Sequence, residues 1–111
     1  MMNYRETDPE FSQRMEHFAF EEVVNQEGQQ LDEVTRHLAI LATLMGCQGK
    51  ELFAWELGQA LDAGITPVMA KEVVYQAVDY LGMGRALPFL DITNQVLTQR
   101  GVTLPLEGQA T

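Results

Sequence analysis

Residues 31–46 read LDEVTRHLAILATLMG, and this stretch decides the fold. Asp32 carries a side-chain oxygen suited to the first free N–H groups of a helix, and Gly46 is a natural stop. Between them Val34, Leu38, Ala39, Ile40, Leu41, Ala42, Leu44 and Met45 follow so closely that apolar residues surround the helix instead of forming one stripe. A helix apolar all round must be covered on all sides. In a chain of 111 residues, part of that cover is expected from another subunit.

The same grammar extends in both directions. Toward the amino terminus, Asp8-Pro9-Glu10 has the form of a helix start, and Met15, Phe18, Ala19 and Val23 recur at helical spacing until Glu27-Gly28-Gln29-Gln30 breaks the pattern. Toward the carboxyl terminus, a helix fits residues 49–63, with Gly64 as its left-handed terminator. Thr66-Pro67 caps and starts the next helix, whose apolar face is Val73, Val74, Ala77, Val78 and Leu81, and Gly82 and Gly84 turn the chain. A last helix is expected from about Arg85 to Arg100, with Pro88 in its first turn or at a kink and Gly101 closing it. Nothing alternates at period two, so the reading is all-α: five helices, no sheet, residues 1–103 as a single domain and 104–111 as an extended tail.

Composition bounds the function. The formal charge of −9, from 16 acidic and 7 basic residues, opposes binding to nucleic acid and to anionic membrane surfaces. No apolar run approaches the roughly 20 residues of a spanning helix, the N-terminal residues lack a basic-then-apolar signal pattern, and the single Cys47 has no intrachain disulfide partner. A cytoplasmic protein is expected. Zinc, P-loop and dinucleotide motifs are absent from the sequence, so neither a metal nor a cofactor is called for.

Several polar residues sit among these helices. Arg36 suits a carboxylate, which its planar guanidinium grips in two places, or else an internal salt bridge with Glu72. His37 is a general base or a helix-surface residue, and His17 is read as structural. Cys47, at the expected start of the 49–63 helix, is either an activated thiol or, the favoured reading, a small buried residue at a tight turn. Glu72, Gln76 and Tyr80 fall at i, i+4 and i+8, a polar row that fits a solvated face or, with a slight preference, a buried seam lining a pocket. Phe53 and Trp55 read as core or subunit contacts.

Taken in order, LDEVTRHLAILATL, ELGQALDAGITP and KEVVYQAVDYLG, with Arg36, Gly64, Thr66, Glu72, Tyr80 and Gly82 at matching points, resemble the carboxymuconolactone decarboxylase family. That all-helical group includes the alkylhydroperoxidase D-like proteins. The resemblance implies a bundle of five to six helices and a homo-oligomer, commonly a trimer or hexamer. The tail LPLEGQAT is similar to the segment that leads some relatives into a second domain. Peroxidase-type members carry Cys-x-x-Cys followed by His, positions that fall here on Gly49, Leu52 and Glu56, while the glutamate they place after the helix-two arginine falls on His37. The Glu and His of the pattern are therefore exchanged, and an acid/base pair survives if the two side chains face each other.

Three functions follow from that resemblance. The first is a cofactor-free, lyase-like enzyme acting on a small lactone or carboxylate, with Arg36 anchoring substrate, His37 or Glu56 moving the proton, and Glu72, Gln76 and Tyr80 lining the site. The second is a peroxiredoxin-like antioxidant that uses Cys47 with an external thiol. The third is an oligomeric binding protein without catalysis.

Overall fold

The computed structural model describes residues 3–25 and 27–108, and every regular element among them is helical. The chain divides into two compact units, residues 1–31 and 32–111. In the first, α1 (Tyr4–Thr7) is followed by α2 (Pro9–His17), which passes into a π-helical turn (Phe18–Glu22) and a 3-10 turn (Val23–Asn25). The expected proline start is found, but Asp8 does not cap α2: its carboxylate accepts from the Thr7 hydroxyl at 2.7 Å. The expected single helix loses its 3.6-residue register at Phe18. The apolar residues Phe11, Phe18 and Val23 remain exposed in this chain.

The second unit holds α3 (Glu33–Gly46), α4 (Lys50–Asp62), α5 (Pro67–Leu81) and α6 (Met83–Gln99). Local chemistry sets their limits. Asp32 Oδ1 accepts the Thr35 N–H at 2.7 Å, and Thr66 Oγ1 accepts the Met69 N–H at 3.1 Å, so both caps satisfy a donor that a helix start leaves free. Gly64 at φ +115° permits the reversal between α4 and α5, a conformation costly for any residue with a Cβ. The last helix begins two residues earlier than expected, at Met83. Pro88 therefore lies inside it, beyond the first turn.

Leu41 and Met45 of α3, Phe53 and Leu57 of α4, Val74 of α5 and Phe89 of α6 form the core. The rings of Phe53 and Phe89 meet edge to face, with centroids 5.0 Å apart, which favours their opposed quadrupoles and ties α4 to α6. Trp55 is only half-buried. Along α3 the chain buries His37, Leu41 and Met45, while Ala39 and Ala42 remain exposed, so part of this apolar helix is uncovered in the single chain.

Candidate active site: a buried histidine–glutamate pair

The burial of residue 37 follows from its register. Residues 37, 41 and 45 recur every four positions, so the inward stripe of α3 carries His37 in line with Leu41 and Met45. On α4 the inward set is Phe53, Glu56, Leu57 and Ala60. The two polar members of these stripes meet: His37 Nδ1 and Glu56 Oε1 share a hydrogen bond across α3 and α4. Both residues are nearly closed to solvent, at 8% and 6% exposure, so each is the other's compensation for lost hydration.

The contact orders the imidazole chemically. With Glu56 as a carboxylate, the Nδ1–H donates to it, and Nε2 keeps the lone pair. The carboxylate would then offset the positive charge that the ring gains on taking up a proton, which is the role an orienting acid plays beside a catalytic histidine. This arrangement can hold and transfer one proton in a water-poor environment.

The remaining sequence candidates are placed differently. Arg36 is half-buried on α3, and among the described residues its guanidinium makes no ion pair, neither with Glu72 nor with any other acid. Glu72, Gln76 and Tyr80 are exposed, Tyr80 at 91%, which corrects the reading of them as a buried seam within the subunit. The physical reason is the opposite face: Ala70, Val74, Ala77 and Leu81 point α5 inward, and the polar row lies roughly half a turn away.

Cys47 departs from its buried reading. It is exposed, not buried, and it sits at the carboxyl end of α3, where its thiol approaches the Leu44 carbonyl at 3.6 Å. A second cysteine is missing from the whole sequence.

Three buried polar side chains escaped the sequence reading: Lys71, Thr93, and Ser12, whose hydroxyl has no hydrogen-bond partner among the described residues. Lys71 is buried on α5 and donates to Asn94 Oδ1 on α6, and Thr93 is buried with its hydroxyl donating to the Phe89 carbonyl at 2.8 Å. Lys71 follows Ala70 and precedes Val74 by one turn, so its position at the edge of the inward stripe was readable; its partner was not. In the first unit, Gln13, Arg14, Glu16, His17 and Glu21 line an open cavity of about 520 Å³. His17 there faces Glu21 at 2.5 Å and Glu22 at 3.4 Å. No group of three or more potential metal-ligating side chains is found among the described residues.

No helix among the described residues is long and apolar enough to cross a membrane. No curated protein and no solved structure matches the chain. The model of the carboxymuconolactone decarboxylase family matches residues 9–95, a span that contains the α3 and α4 positions of the pair and all of α5. By that match, the chain belongs to the carboxymuconolactone decarboxylase family.

Proposed function

We propose that this protein is a cofactor-free enzyme that moves a proton on a small carboxylate-bearing lactone or related acid, with His37 as the proton carrier and Glu56 as the group that orients it. The observation that carries the reading is the buried His37–Glu56 hydrogen bond. A surface pair would be explained by solvation alone. A pair sunk into an apolar core bears a desolvation cost that a structural role alone repays poorly.

In this reading, loss of carbon dioxide leaves an electron pair on the substrate, delocalised into the lactone carbonyl, and the His37 imidazolium supplies the proton that quenches it. Glu56 holds the Nδ1–H throughout, so that Nε2 is the nitrogen that takes up and gives the proton. Arg36, adjacent to His37 on α3 and without an ion pair among the described residues, is the anchor for a substrate carboxylate. Glu72, Gln76 and Tyr80 contribute only where another subunit encloses their exposed row. A homo-oligomer fits this requirement and the uncovered part of α3.

The peroxidase alternative would rest on Cys47 alone, since the sequence holds no second cysteine. The enzyme reading is tested by following turnover of a panel of carboxylated γ-lactones with the wild type, His37→Gln, Glu56→Gln and Arg36→Met. Loss of general acid–base help should lower kcat by about 10²–10⁴-fold in the two pair variants, and Arg36→Met should chiefly raise KM. A wild type inert on the whole panel, or pair variants as active as wild type, would remove the proposal.

A further inference from the structure

The five buried polar side chains among the described residues are Ser12, His37, Glu56, Lys71 and Thr93. His37 and Glu56 compensate each other, Thr93 is satisfied by the backbone, and the neutral hydroxyl of Ser12 has no hydrogen-bond partner among the described residues. Lys71 is different. It is 7% exposed, yet its partner is the neutral amide of Asn94, and no carboxylate lies within ion-pair distance among the described residues. In a chain with 16 acids against 7 basic residues, a buried cation without an acid is the opposite of what composition alone would produce.

The donor inventory sharpens the point. An ammonium has three N–H donors and no acceptor, and an asparagine amide adds two donors and one acceptor oxygen. Here that oxygen accepts from Lys71 Nζ, and the pair is richer in donors than in acceptors, with further N–H groups on Lys71 Nζ and Asn94 Nδ2. Neither nitrogen makes another hydrogen bond among the described residues. Asn94 is partly exposed and Lys71 is buried at the seam of α5 and α6. Burial pushes the Lys71 amine below its ordinary value, the signature of a cation lacking a counter-charge.

We infer that Lys71 and Asn94 form a binding site for a small oxyanion, of carboxylate type, at the seam of α5 and α6. The site uses helices other than the α3 and α4 that carry the His37–Glu56 pair, and it stands whether or not that pair is catalytic. A carboxylate would accept from the ammonium through one oxygen and from the asparagine amide through the other, supplying the charge and the acceptors that the protein withholds.

The test is a titration of the intact chain with succinate at constant ionic strength, with sodium chloride and inorganic phosphate as parallel arms. The readouts are Tm and the side-chain amide resonances of Asn94. Succinate should saturate, raise Tm and move the Asn94 resonances, and chloride should do neither. A response to phosphate at lower concentration than succinate would overturn the carboxylate assignment. Lys71→Met should weaken succinate binding by at least about tenfold, the scale of one lost charge-assisted hydrogen bond. Asn94→Asp provides the missing anion within the protein; it should keep the fold and abolish the succinate response. An Asn94→Asp protein that binds succinate as the wild type does, or wild-type resonances that never move, would overturn the inference.

Discussion

His37 on α3 and Glu56 on α4, nineteen residues apart in sequence, meet through Nδ1 and Oε1 inside the helical bundle. The contact makes each side chain dependent on the other. Glu56→Gln keeps the shape and an acceptor oxygen but removes the charge, whereas Glu56→Leu leaves the imidazole buried without a partner. Chemical unfolding should report a loss of about 1–3 kcal/mol for Glu56→Leu and a smaller one for Glu56→Gln. Equal stabilities would mean that the hydrogen bond contributes nothing to the fold.

Much of the second unit was legible because helix limits are local chemistry. Asp32, Thr66-Pro67, Gly64 and Gly101 announce starts and stops through side-chain oxygens, a fixed φ or a missing Cβ, and each is used in that way. The facing of α5 was also available, since Ala70, Val74, Ala77 and Leu81 define the inward stripe, yet the i, i+4, i+8 row of Glu72, Gln76 and Tyr80 drew the reading to the other face. Spacing tells which residues share a face, not which face is inside. The π-helical turn at Phe18–Glu22 and the partner of Lys71 were not legible, because both depend on register and on contacts between residues remote in sequence.

The Thr66 cap should be measurable alone. Thr66→Ala removes the oxygen that accepts from Met69 N and leaves that donor to water. A destabilisation of about 1 kcal/mol is expected by urea denaturation. Thr66→Ser, which keeps the oxygen, should recover most of it.

Asp32 gives a pH-dependent counterpart. The Thr35 backbone N–H, and then the Thr35 hydroxyl, hold its carboxyl below the ordinary value. A depressed folded-state pKa stabilises the fold above the unfolded value, about 3.9, and the contribution is lost as pH falls through the lower folded value. The Tm gap between wild type and Asp32→Ala should be constant from pH 7 to about 5 and close below about 4. A gap that widens in acid would reverse the assignment.

His17 titrates in the opposite sense. The hydrogen bond to Glu21 raises its pKa, desolvation opposes the rise, and the charges of Glu21 and Glu22 add to it. Its contribution to the first unit is complete below the unfolded value, about 6.5, and disappears as pH climbs through the higher folded value. An NMR titration should find the His17 midpoint above 6.5, and Glu21→Gln should return it most of the way. No movement in that variant would show that the contact is not formed in solution.

The central claim is that the imidazole of His37 is held by Glu56 in one tautomer with its second nitrogen free. Long-range ¹H–¹⁵N spectra of the imidazole test it most directly. The account predicts that the neutral ring carries its proton on Nδ1 and its lone pair on Nε2, and that this preference is lost in Glu56→Leu. A ring protonated on Nε2, or one whose tautomer is the same with and without the glutamate, would contradict it.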